Sequence, residues 1–271
     1  MAQHELNAIV AQRIEVTPSL IKLRVVPDGW ELPDFTPGQF SALGLPSTAP
    51  RHKSTPDESH PLSDPNRTIK RAYSVASSSV AKEYLEYFVG LVRTGSLSPR
   101  LFALKEGDRL FVSPKFRGMF TLSDVSEEFN VALFATGTGV APYMSMIRTE
   151  LTLGLKRRFA VVHGACHSRD LGYHDELKAL SLVSQKFDYL PVLSHAHEEP
   201  ISWKGYEGFV QKMWTERVLA DAWGIKPNAD NTHIFLCGNP LMIDAMLEIL
   251  HGEGFTRHSR KEPGQVHVES F

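Results

Sequence analysis

A cation, an aromatic ring and a hydroxyl fall within four consecutive residues, Arg71-Ala72-Tyr73-Ser74. The segment has strand character, and side chains on a strand alternate faces, so Arg71 and Tyr73 point to the same side. That side offers a fork for a phosphate and a flat ring for a flat ligand. Ser74 adds a hydroxyl and a backbone N–H at the neighbouring position. A second segment with chemical potential is Ala135-Thr136-Gly137-Thr138-Gly139-Val140-Ala141-Pro142. It follows the apolar run 131–135 and precedes an apolar-periodic helix over 143–153. Strand, glycine turn and helix is the setting a nucleotide phosphate requires. Gly137 and Gly139 let the backbone approach an anion, and Pro142 suits the first helical turn, where its missing N–H costs nothing. The turn is not GxGxxG, since alanine and proline stand where a third glycine is expected. The third segment, 232–240, reads as a strand ending in Cys237-Gly238, then Asn239 and a helix from Pro240. Ligands of open α/β sheets bind at the carboxyl ends of strands. A free cysteine is also a common buried hydrophobe, and the residues alone leave both roles open for Cys237.

The elements that must position these groups fall into two sets. Short strands over 6–13, 20–26, 40–44, 72–76, 84–92 and 109–113, punctuated by turn residues, predict a small antiparallel barrel with one short helix over 98–104. Beyond it, strands over 131–135, 159–164, 189–193 and 233–237 alternate with helices over 141–153, 175–184, 210–223 and 240–251. Such alternation predicts a parallel sheet with helices on both faces. The expected domains are therefore 1–119 and 120–271. Between two of the barrel strands, residues 46–70 contain five prolines and many Ser, Thr, His and Asp residues. This composition fits a long exposed loop or short hairpin.

The bulk properties exclude other classes. The chain has 271 residues, 42% of them hydrophobic, enough to build two cored domains. A net charge of −2 lacks the basic footprint of a nucleic-acid binder. Two cysteines, Cys166 and Cys237, do not make a disulfide framework. No signal peptide and no bilayer-spanning apolar run is visible, and a cytoplasmic protein without membrane attachment is expected. His195 and His197 are spaced like metal ligands, but no third ligand lies nearby, so no metal is expected.

Together with Pro37-Gly38-Gln39-Phe40, Gly95-Ser96-Leu97-Ser98-Pro99-Arg100-Leu101 and the tail Val268-Glu269-Ser270-Phe271, the three segments resemble the ferredoxin–NADP+ reductase family, in its bacterial ferredoxin/flavodoxin reductase branch. The pieces run in the family's order and span nearly the whole chain. The resemblance implies an FAD-binding barrel followed by an NAD(P)-binding α/β domain. It implies an enzyme that moves electrons between NADP(H) and ferredoxin or flavodoxin. Arg71, beside Ala72, would pair with the FAD pyrophosphate, Tyr73 would pack on one isoalloxazine face, and Ser74 would hydrogen-bond near the flavin N5. Phe88, Val89 and Gly90 would border the cofactor. Gly95, Leu97 and Ser98 would hold its phosphates. Gly137, Thr138, Gly139, Val140 and Pro142, with Gly238, Asn239 and Pro240, would receive the nicotinamide nucleotide. Cys237 and Glu269 would flank the reacting nicotinamide carbon, and Phe271 would cover the other flavin face.

Two departures from the family pattern matter. The connection 46–70 is longer than the bacterial members' and reads as an insertion, either a tolerated surface loop or a flap touching a partner or the adenine. NADP-specific members hold the 2′-phosphate with arginines after the second and third strands of the nucleotide domain. Here those stretches, 163–169 and 193–197, contain Arg169 as the one permanent cation, and the histidines are mostly neutral near pH 7. NAD(H) therefore stays open beside NADP(H). Two alternatives stand beside the main reading: an NADH-using reductase component of an oxygenase, and a nucleotide-binding electron-transfer subunit without turnover of its own.

Overall fold

The protein is described by a computed structural model over residues 6–58, 64 and 67–270. It divides into two compact units, Met1–Thr121 with Met144–Thr149, and Leu122–Tyr143 with Glu150–Phe271.

The first unit is built from β1 (Ala8–Thr17), β2 (Leu20–Pro27), β3 (Phe40–Pro46), β4 (Thr68–Ser74), β5 (Leu85–Gly90) and β6 (Arg109–Val112), with α1 (Ser98–Ala103) between the last two. The strands pair antiparallel in the order β4-β3-β6-β1-β2-β5. An antiparallel bridge between Val75 and Tyr87 joins the two ends of that order, and Ala76 N–H donates to the Glu86 carbonyl at 2.8 Å. The sheet thus closes as the expected barrel. Period-two burial drives the closure: on β2, Ile21, Leu23 and Val25 are buried while Lys22 and Arg24 between them are not. β5 is buried along nearly its whole length, and Glu86 within it is fully buried. A buried carboxylate demands partners, and Arg24 at 2.7 Å and Arg148 at 2.8 Å supply them.

The second unit contains β7 (Asn130–Thr136), the two ends of α2 (Ala141–Leu153, whose middle, Met144–Thr149, belongs to the first unit), β8 (Phe159–Ala165), α3 (His174–Val183), β9 (Phe187–Leu193), β10 (Tyr206–Glu207), α4 (Gln211–Thr215), α5 (Val218–Trp223), β11 (Thr232–Gly238), α6 (Pro240–Gly252) and β12 (Val266–Ser270). The six strands pair parallel in the order β10-β9-β8-β7-β11-β12. The central strands read as near-continuous buried runs, as a sheet covered on both faces requires. On one face Phe134, Val162 and Leu236 pack with Trp214 and Leu219 of the α4–α5 pair and Met246 of α6. The single helix expected over 210–223 is two, because Arg217 adopts a left-handed φ of 63° that no helix continues through. The tail, expected only to end in Glu269-Ser270-Phe271, contributes an edge strand to the sheet. No helix among the described residues is long and apolar enough to cross a membrane.

Candidate functional site

On the barrel, Arg71 and Ala72 are exposed near the end of β4, Tyr73 is half-buried and Ser74 is buried. The alternation expected for this segment holds through the pairing of Leu43 with Arg71 and Ser41 with Tyr73. Tyr73 packs against the barrel core, and burial pushes its hydroxyl pKa up to about 12, so the ring stays neutral. The Arg71 guanidinium donates to the Lys70 carbonyl at 2.8 Å and reaches Ser96 Oγ at 3.3 Å. Ser96 was not singled out by sequence reasoning. It is the hydroxyl that Arg71 finds, in the turn joining β5 to α1.

That turn reassigns several expected roles. Ser98 Oγ accepts from Val92 N–H at 3.0 Å and donates to the Val92 carbonyl at 3.3 Å, so its hydroxyl is engaged in closing the turn. The Leu97 and Val89 side chains belong to the barrel core, which leaves only their backbone for a cofactor. Phe88 is buried and Gly90 ends β5 opposite Leu20. Gly95 bends the chain so tightly that a Cβ there would lie 3.0 Å from the Val92 carbonyl. The amides of Ser96 and Leu97 have no hydrogen-bond partner among the described residues. An exposed guanidinium, a hydroxyl and two unpaired amides are a donor set suited to a phosphate.

At the carboxyl end of the parallel sheet, Gly137–Val140 form one 3-10 turn leading into α2, with Pro142 in its first turn. Gly137 adopts φ 56° and faces open space. Gly139 is glycine for a different reason than anion approach: a Cβ there would overlap the Cys237 carbonyl. Gly238, at φ 129°, leaves equally little room against Thr136. The tips of β7 and β11 are therefore pressed together, and Thr136 Oγ1 accepts from Asn239 N–H at 2.9 Å. Asn239 in turn caps α6 through Leu241 N–H at 2.9 Å, with Pro240 exposed beside it. The buried Val140 side chain is core, while Thr138 is half-buried. Tyr143, fully buried on α2, lies 2.9 Å from both the Phe134 and Phe235 carbonyls and ties the helix to the two strands. It reads in the sequence as one more apolar helical position, and nothing local flags its role.

Cys237 is fully buried and pairs in register with Glu269 across β11 and β12. Burial first, and the Glu269 charge second, push its thiol well above the usual range. Near neutral pH it is a protonated, polarisable group and not a thiolate nucleophile. Phe271 lies outside the described residues.

Beyond the end of β8, Arg169 is exposed in the turn Ser168–Asp170. Its neighbour Ser168 is occupied: its N–H and Oγ donate to the two oxygens of Glu199 at 2.9 and 2.5 Å. These bonds hold the Glu199 carboxyl below the usual range, with His167 3.5 Å away. Sequence reasoning named His167, His195 and His197 here and missed Glu199.

The likenesses to known proteins agree with this geometry. The profile of the oxidoreductase NAD-binding domain matches residues 133–248, from β7 into α6. Ferredoxin–NADP reductase B of Sorangium cellulosum is 35% identical over 76% of the chain and 80% of that protein. The flavodoxin/ferredoxin–NADP reductase of a Buchnera aphidicola subspecies is 27% identical over 88% of each. A crystal structure of a ferredoxin NADP+ reductase from Neisseria gonorrhoeae, with bound FAD and NADP, superposes with a TM-score of 0.80 over 97% of each chain at 24% identity. A barrel carrying an arginine–tyrosine–serine strand, a parallel sheet with a glycine turn, and relatives at this identity over most of their length lead to one placement: the chain belongs to the ferredoxin–NADP reductase family.

Proposed function

We propose that this protein is an FAD-dependent oxidoreductase moving electrons between NADP(H) and ferredoxin or flavodoxin, with the flavin on the barrel domain (1–119) and the nicotinamide nucleotide on the α/β domain (120–271). The observation that carries it is the Arg71–Ser96 pair beside two unpaired amides, which fits the pyrophosphate of FAD. When bound, FAD supplies two-electron exchange with a nicotinamide and one-electron exchange with a carrier. Arg71 holds the pyrophosphate through its fork, and the Ser96 hydroxyl and amides add donors. Tyr73, neutral and backed by the core, presents a flat ring to the isoalloxazine. Ser74 orients the reacting edge. Gly137 and Thr138 accept the nucleotide at the tip of β7. The protonated Cys237 thiol and the Glu269 carboxylate border the nicotinamide without adding a thiolate charge. Phe271 is assigned to the exposed flavin face on the family likeness.

A second reading of the reductant is favoured by Glu199. An acidic group near the adenosine ribose suits the 2′-hydroxyl of NAD, whereas a 2′-phosphate calls for arginine. Here a carboxylate already takes both donors of Ser168. One assay tests both readings: ferredoxin- or flavodoxin-dependent reduction of a haem acceptor, driven by NADPH and NADH side by side. Carrier-dependent turnover is expected with at least one nucleotide. No turnover with either, from a flavin-loaded sample, would reject the function.

A further inference from the structure

The described residues 47–58 of the connection between β3 and β4 are tied to the β5–α1 turn by an ion cluster around a buried arginine. Arg100, on α1, is only 4% exposed. A buried guanidinium needs a counter-ion, and Glu58 provides it as a two-pronged pair, at 2.8 Å from Nη1 and 3.0 Å from Nη2. The same guanidinium donates to the Ser96 carbonyl at 2.6 Å and the Ser47 carbonyl at 2.5 Å. Arg51, also in the insertion, lies 3.3 Å from Glu58 and donates to the Gly95 carbonyl at 2.9 Å and the Arg93 carbonyl at 3.1 Å. The insertion's backbone joins in where His52 N–H donates to the Pro99 carbonyl at 2.9 Å.

The consequence is directional. In a planar trans peptide the carbonyl and the following N–H point opposite ways. With the Gly95 and Ser96 carbonyls drawn to Arg51 and Arg100, the N–H groups of Ser96 and Leu97 are turned away from the cluster. Both amides lack a partner among the described residues, as do those of Arg93 and Thr94, and they lie in the turn whose Ser96 hydroxyl meets Arg71. Both arginines of the cluster pair with Glu58.

We propose that Glu58 is a positioning residue for the flavin phosphates: by holding Arg51 and Arg100 it fixes the direction of the 93–97 backbone, and the insertion is thereby a clamp on the phosphate-binding turn. This rests on the placement of FAD at Arg71 given above. Glu58 acts through Arg51 and Arg100, so its effect falls on the phosphate end. A flavin without phosphates does not depend on it.

The test compares Glu58→Ala, Glu58→Asp and Arg71→Ala in the full chain stripped of flavin and titrated with FAD and with riboflavin. Glu58→Ala is expected to raise the FAD Kd about tenfold, the low end of what losing a ligand-orienting partner costs. Riboflavin affinity stays within twofold of wild type, and Glu58→Asp recovers part of the FAD affinity. If Arg71→Ala weakens FAD and Glu58→Ala does not, the clamp is wrong and the flavin placement stands. Equal loss of FAD and riboflavin with Glu58→Ala overturns the inference as well, since the residue then only stabilises the barrel. If Arg71→Ala leaves FAD affinity unchanged, the placement fails and the inference with it.

Discussion

The 93–97 turn of the barrel, proposed to hold the flavin phosphates, and the tip of the parallel sheet are built with different forces. The turn carries charge: Arg71 in front, with Arg51, Arg100 and Glu58 behind it, all joined by charge-assisted hydrogen bonds. The sheet tip carries the Glu269 carboxylate beside Cys237 and otherwise relies on packing. It is shaped by Gly139 and Gly238 pressed against backbone, by a doubly placed Tyr143 hydroxyl, and by a thiol kept protonated through burial. Charge-assisted pairs hold an anion that stays bound. A close-packed edge without a cation suits a flat ring that arrives and leaves, because no ion pair must be broken each time. On the proposed reading, a cofactor seat and a substrate berth are distinguishable by what holds them.

Substitutions sharpen or break this contrast. Gly238→Ala attacks the close-packed edge, adding left-handed strain and overlap with Thr136; the expected cost is about 3 kcal/mol of stability. Chemical denaturation measures it, and an unchanged midpoint would mean that the strand tips are not pressed together. Arg71→Ala attacks the charged turn. It should weaken FAD by about 2 kcal/mol, roughly thirty-fold in Kd, while the flavin-free chain keeps its melting temperature. Full flavin content after gel filtration would refute the seat.

Acid should find the sheet unit through its buried histidines. His233 and His267, 2.9 Å apart, are depressed to about 4 and about 3 by burial first and by neighbouring His258 second, with Arg157 adding to His233 and His233 itself to His267. Unfolded, both titrate near 6.5, so between there and their folded values the unfolded chain binds more protons. Their contribution is complete above pH 6.5 and falls as pH drops towards 4. His267→Phe should flatten the pH dependence of unfolding by about 1–2 kcal/mol near pH 5. Identical slopes for variant and wild type between pH 6.5 and 5 would remove the histidine pair from the account.

Smaller effects belong to the berth itself. Cys237→Ala should slow flavin reduction about tenfold, near 1.4 kcal/mol, and leave FAD bound; single-turnover rates equal to wild type would reject its role. Deleting Phe271 should raise nicotinamide affinity a few-fold, since a covering ring is worth about 1 kcal/mol. Difference spectra with NADP+ and NAD+ read this directly, and identical titrations would leave the flavin face without its cover.

The barrel, the alternating α/β half and the three chemical segments were legible because each depends on local pattern: period-two alternation, a glycine turn between strand and helix, a strand running into Cys237-Gly238. What escaped depends on partners far along the chain. Glu58 and Arg100 are 42 residues apart and look like ordinary surface charges. The family resemblance points to Ser98 as a phosphate ligand, yet its hydroxyl is engaged with Val92, and it is Ser96 whose hydroxyl meets Arg71. Glu199 meets Ser168 only because β8 and β9 are neighbours. The break at Arg217 was hidden because the apolar period continues across it, and β12 because its short polar sequence pairs only with a finished sheet.

The most direct test of the central claim is anaerobic stopped-flow mixing of the FAD-loaded protein with NADPH and, separately, with NADH, followed by oxidised ferredoxin or flavodoxin. The account predicts that flavin absorbance bleaches in a single fast phase with at least one nucleotide and returns when the carrier is added. A flavin that stays oxidised with both nucleotides, or bleaches and cannot pass its electrons to either carrier, would contradict it.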